Sequence, residues 1–161
     1  MTTLTRRYHF SASHRLHVDA LSDQENSKLF GKCNNPFGHG HDYILSVTVR
    51  GPIDRETGLI VPLKAFDSLV GAKVLSLFAY RNINLDIAQF ADLVPTTENA
   101  ALVIASILEE HWAAWFQDET AARLDKVHLQ ETDRNGFEIR MHELPTKLSI
   151  VRKHESVAVN A

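Results

Sequence analysis

The chain has a single cysteine, few glycines and prolines, and no long hydrophobic run. Cys33 is the only cysteine among 161 residues, which excludes an intramolecular disulfide and leaves either a small buried residue or a working thiol. No stretch rich in proline, glycine or serine divides the chain. The start MTTLTRRYHF lacks the apolar core of a signal peptide, and other apolar runs are too short to span a membrane. The sequence predicts a one-domain cytoplasmic protein without a membrane partner.

The chain also has no excess of positively charged residues. Lysine and arginine number 17 against 20 aspartates and glutamates, and the formal net charge is -3. Such a chain has no general electrostatic attraction to nucleic acid or anionic lipid, so we expect no nucleic-acid partner. An anionic substrate would need a local basic pocket. Hydrophobic residues at 44% and charged residues at 23% are typical of a globular domain.

The periodicity of the apolar residues predicts four strands and two main helices. Strands are expected over residues 4–16, 41–50, 126–132 and 137–141, and helices from Pro62 and from Thr96 or Thr97. The polar segment 17–37, with a short capped helix, is an insertion between strands. The order ββααββ predicts an α+β sandwich of helices on an antiparallel sheet over residues 1–142. Residues 143–161 form a C-terminal extension that stays unassigned, although KLSIV within it favours an edge strand.

Three histidines have the spacing of a metal site. His39 and His41 in GHGHDY leave an extended backbone on the same side, and His14 shares the apolar face of the first strand. Three imidazoles with an open fourth position are typical of a catalytic site, and without thiolate or carboxylate ligands the set favours zinc. The alternative is that His39 and His41 stabilise a glycine-rich turn while His14 is a hydrogen-bonded core residue.

The ordered motifs FSASHRL, GKCNNPFGHGHDY, PTTEN and ETDRN, with the insertion LSDQENSKLFGKCNNP, resemble the 6-pyruvoyl-tetrahydropterin synthase family. The resemblance runs from about Arg6 to Asn135. It implies a tunnelling fold (T-fold) whose sheets assemble into a barrel, as a homohexamer of two stacked trimers with active sites between subunits. The implied reaction converts 7,8-dihydroneopterin triphosphate into 6-pyruvoyl-tetrahydropterin with loss of triphosphate, and it makes the protein a zinc-dependent carbon-oxygen lyase.

The resemblance also implies roles for individual residues. His14, His39 and His41 would bind zinc. Cys33 would take a proton as a thiolate, which requires a nearby cation to lower its pKa towards neutrality. Glu131 would anchor the amino-pyrimidine edge of the pterin by accepting paired N–H bonds, and Thr96 and Thr97 match positions that contact the ring. For the two threonines, helix capping is an alternative role.

One motif of the family is missing. An Asp-His proton relay is expected where this chain reads FAYRNIN, so Ala79 and Tyr80 replace it. Either Tyr80 donates through its hydroxyl, or another histidine such as His111 or His128 substitutes, or the enzyme performs altered chemistry such as side-chain cleavage. We favour the third. Two further alternatives are a 6-carboxy-tetrahydropterin synthase of queuosine biosynthesis and a non-catalytic pterin-binding paralogue.

Overall fold

Four antiparallel strands form one sheet in the order β1-β2-β3-β4, so each strand pairs with its neighbour in sequence. The structure is a computed structural model and describes residues 1–117 and 120–144. The strands are β1 (Thr2–His14), β2 (His39–Gly51), β3 (Arg123–Gln130) and β4 (Gly136–Arg140). The predicted α+β architecture with an antiparallel sheet is confirmed.

Polar side chains cap the first helix and the longest one. Ser22 caps α1 (Asp23–Phe30) through a reciprocal capping box with Glu25. Thr96 caps the long helix α5 (Thr97–Phe116), its hydroxyl accepting the backbone N–H of Asn99 at 3.3 Å. Between them, α2 (Leu63–Val70) continues through a π-helical turn at Gly71–Leu75 into α3 (Ser76–Phe78). Both main helices predicted from apolar spacing are therefore present.

The connection before α5 is partly helical, although the apolar periodicity predicts no helix between the two main ones. It contains a short helix, α4 (Ile83–Asp86), and a 3-10 turn at Ala88–Phe90. The side chain of Asn82 caps α4 by accepting the backbone N–H of Asn84 at 3.0 Å. Too few residues lie in the segment for helical periodicity to be visible in its sequence.

The core lies between one face of the sheet and helices α2 and α5. Alternate residues of β2 point into it, and Leu45, Val47 and Val49 are fully buried against Phe66 and Ile104. Burial of side chains of this size stabilises the fold by about 1.5–3 kcal/mol each. Burial of these apolar residues therefore determines which side chains of each strand face the helices, including the side chains at the strand ends.

None of the helices within residues 1–117 and 120–144 combines the length and apolar character needed to cross a bilayer. The KLSIV segment of the C-terminal extension lies outside the described residues.

Candidate functional site

The pairing of β1 with β2 brings the three predicted metal ligands together at one end of the sheet. His14 lies directly opposite His39, and Ala12 lies opposite His41. All three imidazoles are on the helix-facing side, with ring centroids 4.9 Å (His14 and His39), 5.1 Å (His14 and His41) and 4.5 Å (His39 and His41) apart. The register between β1 and β2 thus places His14 next to His39 and His41, although the two motifs are far apart in the sequence.

Gly38 allows this close approach. Its φ of +69° lies in the left-handed region, and a Cβ atom at this position would lie 2.6 Å from the carbonyl oxygen of His14. Any other residue would be strained in conformation and would also clash with the backbone. The glycine before His39 is therefore a structural requirement for the start of β2 to meet the end of β1.

The tautomer of His14 is set by its surroundings. Its Nδ1 lies 2.8 Å from the carbonyl oxygen of Pro95, and a carbonyl can only accept a hydrogen bond. Nδ1 consequently carries the proton, and the lone pair is on Nε2. Metal-ligating histidines commonly have such a carbonyl partner on the second nitrogen, which fixes the ring orientation.

The three Nε2 atoms are candidate metal ligands. Each is buried and has no hydrogen-bond partner in the described part of the chain. Burial lowers the pKa of His14, and burial followed by the proximity of His41 lowers the pKa of His39. Neutral imidazoles with unsatisfied lone pairs in a buried place are what a divalent metal requires, since protonated imidazole cannot bind it. The alternative role for His14, a core histidine satisfied by hydrogen bonds, explains only its Nδ1.

Cys33 reaches the cluster from the insertion. It lies in a 3-10 turn, Gly31–Asn34, and its carbonyl oxygen accepts the backbone N–H of Leu16 at 2.8 Å. The side-chain amide of Asn34 donates to the carbonyl of Leu16 at 2.7 Å and secures the same contact. These bonds place the Cys33 sulfur among potential metal ligands with His14 and His39, all ligand atoms lying within 4.8 Å of one another.

The electrostatics of Cys33 differ from the expectation of a nearby cation. Burial, and secondly the negative charge of Glu131, raise the pKa of the thiol. No basic side chain within residues 1–117 and 120–144 contributes to this shift. The thiol of the protein without metal is therefore neutral at pH 7, and only a positive charge added to the site can reverse this effect.

Glu131 lies beyond the end of β3, although the sequence predicted a strand over residues 126–132 that would include it. Its backbone N–H donates to the carbonyl of Asn135 in the turn to β4. Its Oε1 accepts the hydroxyl of Thr97 at 2.7 Å and lies 3.5 Å from Nε2 of His41 and 3.7 Å from Nε2 of His14. The carboxylate therefore also meets the geometry of a metal ligand, a role that its strand-end position in the sequence did not indicate.

The two threonines are used differently. The Thr97 side chain is buried and points to Glu131, whereas the Thr96 hydroxyl caps α5. The first turn of α5 thus lies next to the Glu131 carboxylate, and the positive end of a helix dipole stabilises a negative group there. The structure brings Thr97 into the site and gives Thr96 a capping function.

The substituted relay residues lie at the edge of β1. The Ala79 side chain packs against the core, while Tyr80 is 91% exposed and has φ +60°. Backbone bonds from Tyr80 to Ser11 and from Ser13 to Arg81 hold the segment against the strand. Tyr80 lines an open cleft of about 620 Å³ whose wall also includes His41.

Neither of the other histidines considered as substitutes joins the cluster within the chain. His111 bonds the carbonyl of Ile107 in its own helix, about 21 Å along α5 from Thr97 at 1.5 Å per residue. His128 points away from the helix-facing side, since its neighbours Val127 and Leu129 occupy the core.

Comparison with known proteins finds a matching family. The profile of the family described as 6-pyruvoyl tetrahydropterin synthase matches residues 3–142. The human protein named 6-pyruvoyl tetrahydrobiopterin synthase is 43% identical over 132 residues, which cover 82% of this chain and 86% of the human one. The Drosophila melanogaster protein of the same name is 39% identical over 145 residues, covering 90% of this chain and 76% of its own.

The fold is shared with a solved structure of a relative. The structure of Caenorhabditis elegans 6-pyruvoyl tetrahydropterin synthase superimposes with a TM-score of 0.76 at 36% identity, covering 86% of this chain and 94% of that one. The Plasmodium falciparum structure described by the same enzyme name has a TM-score of 0.58 at 13% identity, and that likeness concerns the fold alone.

Proposed function

The chain belongs to the 6-pyruvoyl tetrahydropterin synthase family, and from this membership we propose that it is an enzyme with that synthase activity. The observation that carries the proposal is the meeting of His14, His39, His41, Cys33 and Glu131 at one point of the fold. These residues come from four separate segments of the sequence. Such a convergence of ligands, a thiol and a carboxylate is typical of an active site.

His14, His39 and His41 would hold the metal, and the donor set favours zinc. When bound, zinc supplies Lewis acidity that polarises substrate oxygens and acidifies adjacent C–H bonds. The support for this assignment is the set of three buried Nε2 atoms without partners. Glu131 is a fourth potential ligand from its distances to His14 and His41.

Cys33 would abstract a proton from the substrate side chain at its sulfur. The raised pKa of the thiol means that this role requires a cation beside it, and a metal ion held by the histidine cluster would supply that charge. Glu131 would accept two N–H bonds from the amino-pyrimidine edge of the pterin, since each carboxylate oxygen can accept one. The Thr97 hydroxyl orients that carboxylate. Thr96 would contact the ring in addition to capping α5.

The finer assignments follow from the family resemblance. We propose 7,8-dihydroneopterin triphosphate as the substrate, elimination of triphosphate by a carbon-oxygen lyase reaction, and a homohexamer with inter-subunit sites. The names of the human and Drosophila relatives favour this reaction over that of a 6-carboxy-tetrahydropterin synthase. The single domain over residues 1–142 and the cytoplasmic location stay predictions from the sequence.

A second candidate function rests on the substituted relay. Ala79 cannot transfer a proton, and Tyr80 is largely exposed in the open cleft that it shares with His41. Side-chain cleavage or a partial elimination needs fewer proton transfers than the full conversion. A pterin-binding protein without catalysis would share the same site.

Product analysis separates these functions. The zinc-loaded protein is incubated with 7,8-dihydroneopterin triphosphate, and the pterins are separated by chromatography under exclusion of oxygen. We expect 6-pyruvoyl-tetrahydropterin and free triphosphate. A truncated pterin would establish the altered chemistry, and unchanged substrate with measurable binding would establish a binding protein.

A further inference from the structure

Tyr43 is a buried residue beside the metal cluster to which neither the motifs nor the proposed function gives a role. It follows His41 by two residues on the same face of β2, and its ring is 1% exposed. The ring stacks on Phe10 with centroids 5.2 Å apart and meets the His41 ring edge-on at 5.6 Å. Packing alone accounts for an aromatic ring here but not for a hydroxyl.

The hydroxyl of Tyr43 has no hydrogen-bond partner among the residues that the structure describes. In the described part of the chain, four buried side-chain polar atoms lack a hydrogen bond: Nε2 of His14, His39 and His41, and the hydroxyl oxygen of Tyr43. Leaving a buried polar group unsatisfied costs about 1–3 kcal/mol. Phenylalanine would fill the same space without that cost. Three of the four atoms are explained by a ligand of the site, which suggests the same explanation for the fourth.

The surroundings of the hydroxyl belong to the site. The Thr97 side chain, which donates to Glu131, lies beside the Tyr43 hydroxyl without meeting hydrogen-bond geometry, so the O–H stays available as a donor. A ligand that reaches the imidazole Nε2 atoms and the Glu131 carboxylate must occupy the space adjoining this face of β2. A pterin carries both ring nitrogens and a carbonyl that accept hydrogen bonds.

We propose that the Tyr43 hydroxyl is a substrate-binding group that donates a hydrogen bond to the bound pterin. This inference rests on the proposed function, because it takes the pterin as the ligand of the site. The hydroxyl has no hydrogen-bond acceptor among the described residues, and the bound pterin would provide one.

The test is the variant Tyr43→Phe, with Tyr8→Phe as the matched control. Tyr8 also lies on a strand face and loses a hydroxyl on substitution, but that hydroxyl donates to Asp67 at 2.8 Å, away from the cluster. Three quantities are measured on each zinc-loaded protein: zinc content, the melting temperature, and the affinity for neopterin by calorimetry.

For Tyr43→Phe we expect unchanged zinc content, an unchanged or higher melting temperature, and about fivefold to tenfold weaker neopterin binding, the size of one lost hydrogen bond. For Tyr8→Phe we expect the reverse: a lower melting temperature and unchanged affinity. In turnover, the Tyr43→Phe defect should appear mainly in KM.

Unchanged neopterin affinity in Tyr43→Phe would overturn the proposal. A lower melting temperature or failure to fold would also overturn it, because the hydroxyl would then have a structural partner. If the unmodified protein bound no neopterin and converted no dihydroneopterin triphosphate, the proposed function would fail as well. Binding by the unmodified protein with equal binding by the variant would refute the Tyr43 inference alone.

Discussion

Replacement of Glu131 by glutamine separates the two roles that the structure allows for this carboxylate. The side chain lies 3.5 Å from Nε2 of His41 and 3.7 Å from Nε2 of His14, close enough to serve as a metal ligand. It also accepts the Thr97 hydroxyl and lies where the pterin anchor is expected. Glutamine has nearly the same size and shape but no negative charge, and one of its acceptor oxygens becomes an N–H donor.

The expected loss of neopterin affinity follows from the carboxylate oxygen that is replaced by an N–H donor in Glu131→Gln. A pterin edge that presents two N–H groups to glutamine can pair only one of them, and the other is left unpaired beside a largely buried side chain. Such an unpaired donor costs on the order of 1–3 kcal/mol, and 1.4 kcal/mol is tenfold in affinity. We therefore expect Glu131→Gln to weaken neopterin binding at least about tenfold while the three histidines retain zinc.

The assay combines calorimetry with metal analysis of the same preparation. Thr97→Val is the matched control, since it removes the hydroxyl donor to Glu131 but keeps the carboxylate and the side-chain shape. It should reduce affinity less than Glu131→Gln does. Unchanged neopterin affinity in Glu131→Gln would refute the role of Glu131 as the pterin anchor. Loss of zinc together with affinity would instead identify Glu131 as a metal ligand.

Three further predictions concern the metal, the thiol and the relay. The purified protein should carry about one zinc per subunit, and metal analysis should find much less in His39→Ala; equal zinc in both would contradict the histidine assignment. Cys33→Ala should abolish turnover and keep zinc and neopterin affinity, whereas an undiminished kcat would exclude the base role. If the substituted relay has altered the chemistry, as in the second candidate function, restoring it with Ala79→Asp and Tyr80→His together should raise formation of 6-pyruvoyl-tetrahydropterin about 10²-fold, the scale of a placed acid-base group. Full activity of the unmodified enzyme that is lost in Tyr80→Phe would show that Tyr80 donates the proton.

Local patterns in the sequence predicted most of the fold and part of the site. Period-two alternation placed His14 on the inner face of β1, and the two-residue spacing of His39 and His41 placed them on one face of β2. Ser22 and Thr96 marked the starts of α1 and α5. Strand alternation and helix capping depend on the geometry of a few consecutive residues, so they can be predicted from the sequence.

Other features of the site depend on contacts between distant segments, which no local pattern encodes. The strand register brings His14 opposite His39, and the Leu16 bonds to the insertion bring Cys33 beside them. The same packing sets Glu131 against the imidazoles and leaves the Tyr43 hydroxyl without a hydrogen-bond partner among the described residues. Burial, and secondly the charge of Glu131, raises the pKa of Cys33 where a lower one was expected. The sequence by itself determined which groups are available for chemistry. Only the tertiary structure decided their distances and burial, because hydrogen-bond satisfaction and charge interactions depend on neighbours that folding supplies.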